Sequence, residues 1–189
     1  MRRFAFSPGL VLAAMLTLGL AAPAAVSPEG GPDPANSDVP EVLGKHAARL
    51  ADLWADLATP DLDGRTWTAA DFEGRVVLLD FWATWCAPCL ADFPHLERAR
   101  ASYGDQDLVI LGVSLDRSGR DDLRSFGRRQ GVTWPVLFDG LGAAGAVARR
   151  FRVEYPPRSL LFDRRGRLVA LDARGSTLDA ALRVLFASE

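Results

Sequence analysis

The chain has 189 residues, 49% of them hydrophobic, with 22 basic and 24 acidic side chains. That length supports one ordinary domain with a real core plus extensions. The near-balanced charge, with no basic tract or aromatic-interleaved stripe, sets nucleic acid aside as a partner. Lys45 is the only lysine, a compositional bias rather than a binding signal.

Arg2 and Arg3 precede a short apolar run at residues 10–20, and Ala22-Pro23-Ala24 fits a small-x-small cleavage site. Residues 1–24 therefore read as an export signal. Its apolar run is shorter than the roughly 20 residues of a comfortable membrane helix, although residues 10–26 could serve as an uncleaved anchor. No cysteine follows the run, so lipid attachment is excluded. Residues 25–40 are rich in Pro, Gly and small polar groups and read as a flexible linker. Residues 41–58 place Leu43, Leu50, Leu53, Trp54 and Leu57 at helical spacings, an amphipathic helix packed against the domain that follows, with docking to a partner as the alternative. The domain itself spans 59–189. It begins with two turn signals, Asp63-Gly64 and Glu73-Gly74, around Thr66-Trp67-Thr68, read as a short hairpin.

Residues 76–82 form a continuous apolar run interrupted only by Asp80, the pattern of a strand buried on both faces. The run leads into Cys86-Ala87-Pro88-Cys89, which holds the only two cysteines of the chain. After Cys89 the spacing of Leu90, Phe93, Leu96 and Tyr103 is helical, with Gly104 as a stop. A buried strand thus delivers two thiols to the start of a helix. Unpaired N–H groups and the helix dipole there favour Cys86 as a thiolate, and only the thiolate attacks disulfides. Cys89, three residues on, is placed to release a mixed disulfide by closing the ring. Trp82 and Trp85 are candidates for an apolar rim. Pro88 suits the first helical turn, where an N–H needs no partner, and Pro94 falls inside the helix. Half a zinc site would look the same, but zinc usually takes four ligands, and the chain offers only His46 and His95 besides.

Beyond the helix, residues 108–113 read as a second buried strand, 121–130 as a helix with Leu123 and Phe126 inward, 134–138 as a strand and 143–151 as a helix. This alternation argues a parallel sheet. Residues 159–162 and 167–171 flank Asp163-Arg164-Arg165-Gly166 as an edge hairpin, and 177–187 close as a helix with Ser176 as its N-cap.

The segment Asp80-Phe81-Trp82-Ala83-Thr84-Trp85-Cys86-Ala87-Pro88-Cys89 resembles the active-site segment of thioredoxins, and in particular of their extracytoplasmic TlpA/ResA-like relatives. Residues 153–162 resemble the family segment in which a cis-proline, here Pro157, precedes a buried strand. The resemblance runs from about residue 59 to the C-terminus. It implies an α/β thioredoxin-like fold: a central mixed sheet flanked by helices, with an N-terminal hairpin and a TlpA-like insertion over residues 108–138. It also implies roles. Cys86 would be the attacking thiolate and Cys89 the resolving thiol. Asp80 would be the buried acid that relays the proton of Cys89, against the plainer reading of a strand-end Asp bonded to backbone. Asp92 stands where TlpA/ResA-like proteins usually carry Glu, against the plainer reading of a solvated helix residue. Trp85, Pro156, Pro157 and Arg158 would dock the substrate. Two of these depart from the family. Pro156 has no N–H to pair with a substrate backbone, which predicts the loss of one docking hydrogen bond. Arg158 replaces a common Thr and could meet acidic substrates or the Cys86 thiolate.

The expected activity is exported thiol–disulfide exchange in the reducing direction, with no cofactor. Ala87-Pro88 offers no positive charge to hold a thiolate, and ionised Asp80 and Asp92 would oppose one. Expected partners are protein disulfides or dithiols, such as apocytochrome c or metallochaperone cysteines, and a membrane electron donor; a monomer is expected. The alternatives are a peroxidase of the same fold, which usually lacks a Cys-x-x-Cys, and a copper carrier, which would want a distal histidine that the chain does not have after His95.

Overall fold

The computed structural model describes residues 49–55, 57, 59–117 and 119–187. The expected export signal, the expected linker and the first part of the helix expected at 41–58 lie outside the described residues. No helix among the described residues is long and apolar enough to cross a membrane.

The first described helix, α1 (Leu50–Trp54), buries Leu50 and Trp54, and the Trp54 indole donates to the Trp67 carbonyl at 2.8 Å. This part of the amphipathic segment is therefore packed into the domain. Between α1 and the sheet, Pro60 and Thr66 form a single antiparallel bridge, and Ala69–Phe72 makes a 3-10 turn capped by reciprocal Thr68 and Asp71 hydrogen bonds.

The sheet has five strands: β1 (Val76–Trp82), β2 (Leu108–Ser114), β3 (Val136–Leu137), β4 (Arg158–Phe162) and β5 (Leu168–Leu171), in the order β3-β2-β1-β4-β5. β1 runs parallel to β2, and β2 to β3, whereas β4 is antiparallel to both β1 and β5. The sheet is thus mixed, with β1 at its centre. Every residue of β1 and β2 is buried, because helices cover both faces. Alternation along β1 splits the core in two. Val77, Leu79 and Phe81 pack with α1 and with α4 (Ala146–Arg150), while Val76, Leu78 and Trp82 pack with α2 (Ala87–Tyr103), α3 (Arg120–Arg129) and α5 (Gly175–Ala187). Each such fully buried side chain is worth roughly 1.5–3 kcal/mol.

Several elements differ from the sequence reading. The strand expected at 134–138 is reduced to Val136–Leu137, and the helix expected at 143–151 is a 3-10 turn, Gly142–Ala144, followed by the five residues of α4. Ser176 is not the N-cap of α5. The helix starts at Gly175, and Asp92 of α2 accepts the Gly175 N–H at 2.9 Å, so a carboxylate 83 residues away does the capping. Gly175 sits at φ +49°, a conformation that a side chain would strain.

Candidate active site

β1 ends in Trp82, and a tight loop over Ala83–Trp85 delivers Cys86 to the start of α2. Cys86 occupies the N-cap position. Its carbonyl accepts the N–H groups of Cys89 at 3.0 Å and Leu90 at 3.2 Å, and its Sγ accepts the Cys89 N–H at 3.3 Å. The Cys89 amide thus points at the sulfur from the first turn of the helix, where negative charge is favoured. Pro88 fits here because no helical acceptor stands behind it. Cys86 and Cys89 are joined as a disulfide, and both are buried, at 4% and 2% exposure.

The loop before Cys86 is fixed by a residue to which the sequence reading gave no role. Asp116, just past β2 and 2% exposed, accepts the Thr84 N–H at 3.0 and 3.2 Å, the Thr84 hydroxyl at 2.6 Å and the Ser114 hydroxyl at 2.9 Å. The 32-residue separation hides this contact from any local pattern. Of the two tryptophans expected to rim the site, Trp85 does so at 64% exposure. Trp82 does not: it is fully buried against Phe93 and Phe126, because its place in β1 turns it into the helix layer.

Asp80 shares the face of β1 that carries Leu78 and Trp82, and so lies under the helix that bears the cysteines. Its register neighbours are Gly112 on β2 and Ser159 on β4, and its exposure is 3%. Burial raises its pKa to about 7; Arg174 opposes the rise and Asp92 adds to it. The plainer reading, a strand-end Asp bonded to backbone, does not hold. The nearest charged partner of Asp80 is Arg174, whose Nη2 stands 3.9 Å from Oδ1. Arg174 lies in the turn between β5 and α5, 94 residues on, and the sequence reading missed it for that reason. Asp92 is buried as well, not solvated, with Oδ1 bonded to Gly175 N–H. His95 is partly buried, and its Nδ1 lies 3.4 Å from Asp179 and 2.7 Å from Arg98.

The peptide bond between Pro156 and Pro157 is cis. Pro156 lines a groove of about 710 Å³ together with Thr84, Trp85, Leu115, Glu154 and Tyr155. Tyr155 at 78% exposure and Trp85 face solvent as bare aromatic surface. Arg158 opens β4, opposite Phe81, and its Nη1 pairs with Asp172 at 2.6 Å. The guanidinium expected to meet the substrate or the thiolate is thus engaged along the β4–β5 edge. The structure therefore sets Cys86 and Cys89 at the first turn of α2, couples buried Asp80 on β1 to Asp92 in the next turn of that helix, sets Trp85 and Pro156 along one groove, and leaves Arg158 in an ion pair of its own.

Residues 50–171 match the AhpC/TSA family. The thiol–disulfide oxidoreductase ResA of Geobacillus thermodenitrificans is 29% identical over 124 residues, which cover 66% of this chain and 69% of that protein. ResA of Halalkalibacterium halodurans is 28% identical over 131 residues, 69% of this chain and 72% of that protein. A solved thiol–disulfide oxidoreductase from Bacteroides fragilis superposes with a TM-score of 0.63 at 26% identity, covering 70% of this chain and 98% of that one. With the family matched over residues 50–171 and the fold shared with a solved thiol–disulfide oxidoreductase, the chain belongs to the AhpC/TSA family, and within it to the thioredoxin-like thiol–disulfide oxidoreductases.

Proposed function

We propose that the protein works as a reductant of protein disulfides outside the cytoplasm, carried there by residues 1–24 and held off the membrane or released by the linker at 25–40. The cycle starts from the dithiol. Cys86 thiolate attacks one sulfur of the substrate disulfide, and the other substrate sulfur leaves as a thiolate. Cys89 then gives its proton to Asp80 and attacks Cys86, which forms the Cys86–Cys89 disulfide and frees the second substrate thiol. The protein is oxidised by two electrons and the substrate reduced, and a membrane dithiol donor restores the starting state. Substrates of the apocytochrome c or metallochaperone kind suit this chemistry, docked along the groove of Trp85, Pro156 and Pro157, with the protein acting as a monomer.

The observation that carries the direction is the charge around the thiols. A strong oxidant is one whose reduced form is stabilised, usually by a positive environment around the thiolate. Here the residues between the cysteines are Ala87 and Pro88, and two buried carboxylates stand on the elements that carry the cysteines, Asp80 on β1 and Asp92 on α2. Negative charge there disfavours the thiolate and so favours the disulfide product. The relatives named as thiol–disulfide oxidoreductases favour this reading over a peroxidase. The test is single-turnover reduction of a peptide disulfide. Cys86→Ser is expected to abolish it, and Cys89→Ser to stop at a mixed disulfide through Cys86. A mixed disulfide through Cys89, or a wild-type potential as oxidising as that of a dedicated oxidase, would overturn the proposal.

A further inference from the structure

The loop between β5 and α5 is tied down on both sides. Ala173 O accepts the Ser159 hydroxyl at 3.0 Å, and Asp172 N–H donates to Ser159 O at 2.8 Å, so the loop is fastened to β4 at the residue in register with Asp80. On the other side Gly175 N–H donates to Asp92 on α2, one turn past Cys89. Arg174 itself donates its N–H to Thr177 Oγ1 at 2.9 Å and accepts the same hydroxyl at its carbonyl at 2.7 Å. Its guanidinium is thus carried inward by a fixed backbone. Nη2 is buried without a hydrogen-bond partner, 3.9 Å from Asp80 Oδ1. A buried cationic donor left unpaired is expensive, so its position calls for an explanation beyond packing.

We propose that Arg174 is a positioning residue that sets the pH range in which Asp80 takes the proton of Cys89. This rests on the proposed role of Asp80 as the proton acceptor. The charges facing Asp80 are few. From α2 comes Asp92, while His95 on the same helix is turned to Asp179 of α5. From β2 comes Gly112, with no side chain, and from β4 comes Ser159, whose hydroxyl is committed to Ala173. Arg174 is the one cation among the described residues that acts on it. In the resolving step the Cys89 S–H bond breaks and its proton moves to the Asp80 carboxylate. The Cys89–Cys86 bond forms, the Cys86–substrate bond breaks, and the electron pair leaves on the substrate sulfur. The step needs Asp80 ionised beforehand. A guanidinium at this distance keeps the carboxylate ionised to lower pH than burial beside a second carboxylate would allow.

The test separates the two claims. In the disulfide form neither cysteine titrates, so carboxyl-carbon NMR reads Asp80 directly. Arg174→Gln should move the Asp80 transition upward by about 1–3 pH units, and Arg174→Lys should return it towards wild type. Arg174→Met removes the same charge and makes the same test should the Gln variant not fold. In single-turnover reduction of a fluorophore-labelled peptide disulfide, the release of the second thiol should acquire a rising limb displaced by the same amount. For a one-unit shift it should run about five-fold slower at pH 7, because the ionised fraction of Asp80 falls from about half to about a tenth. Rates above the new transition should match wild type. An unmoved Asp80 transition in the Gln and Met variants overturns the proposal, and so does a rate loss that is equal at every pH. Asp80→Asn checks the underlying role. If it releases the second thiol at the wild-type rate, Asp80 is not the acceptor and both claims fall; if it is slow while Arg174→Gln is silent, only the assignment of Arg174 falls.

Discussion

Asp80 makes stability depend on pH in a direction opposite to that of most carboxylates. Its pKa is about 7 in the folded chain, chiefly because burial penalises the charged form, against 3.8 as the ordinary value. Below pH 3.8 the acid is neutral folded and unfolded, and it costs nothing. As pH rises past 3.8 the unfolded chain ionises while the folded one stays protonated, so stability is lost progressively until the folded acid ionises near pH 7. A shift of about three units at roughly 1.4 kcal/mol each amounts to ~4 kcal/mol lost above pH 7, of which ~3 kcal/mol falls between pH 5 and pH 9. Asp80→Asn has no such slope. Removing the carboxylate leaves Arg174 without its counter-charge, but that cost does not vary over this range, so the slope is the quantity to read. Urea unfolding of the disulfide forms at intervals from pH 5 to pH 9 measures it, with thiol titration excluded. The Asn variant should gain on wild type by about 3 kcal/mol across the range, most of it below pH 7. A gap between the two proteins that is constant with pH would refute the reasoning, since it would mean that the folded acid titrates where the unfolded one does.

Two further substitutions test the supports of the site. Asp116→Ala removes the acceptor of Thr84 and Ser114, and losing hydrogen bonds to a charged group should cost about 2–3 kcal/mol in urea unfolding and speed amide exchange at Thr84; unchanged exchange there would show that the loop before Cys86 is held by other contacts. Gly112→Ala places a Cβ 2.9 Å from Trp82 Nε1 and 3.2 Å from Trp134 Nε1, two buried rings with no room to retreat, and overpacking should cost about 1–3 kcal/mol; Gly127→Ala in α3, where the nearest atom is Val132 Cβ at 3.7 Å, should instead stabilise by roughly 0.5–1 kcal/mol, so equal effects at the two glycines would refute the packing argument.

What the sequence disclosed was local. β1 and β2 announce themselves because two covered faces demand seven consecutive buried residues, and Cys86 falls at a helix start because strand, loop and helix are contiguous. The misses share the opposite cause. Trp82 looked like a rim residue beside Trp85, yet its place at the end of β1 turns it into the helix layer, while Trp85 sits exposed in the loop beyond the strand. Ser176 looked like a cap because it precedes an apolar helical pattern, but Asp92 reaches across from α2 to do that work. Arg158 looked free until Asp172, brought beside it by the β4–β5 pairing, claimed its guanidinium. Asp116 and Arg174 carried no local signal at all, since an Asp after a strand and an Arg before a helix are ordinary. Their partners, Thr84 and Asp80, lie 32 and 94 residues away.

Comparison among the buried acids separates structure from chemistry. Asp61 accepts two backbone N–H groups and the Trp67 indole. Asp163 accepts the N–H groups of Arg165 and Arg167 and pairs with the Arg167 side chain, and Asp116 binds Thr84 and Ser114. Asp92 holds the first N–H of α5. Each of these carboxylates accepts hydrogen bonds that offset the cost of its burial. Asp80 fastens nothing. It sits in the centre strand, flanked by a glycine and a serine whose hydroxyl is spent elsewhere, and its one countercharge stands off at 3.9 Å with a donor unused. A strand selected for stability alone would place an apolar residue there. A carboxyl that must both hold and release a proton near neutral pH needs burial to raise its affinity and a cation at arm's length to keep that affinity from rising too far. Asp80 and Arg174 meet both conditions on the strand that leads into the two cysteines.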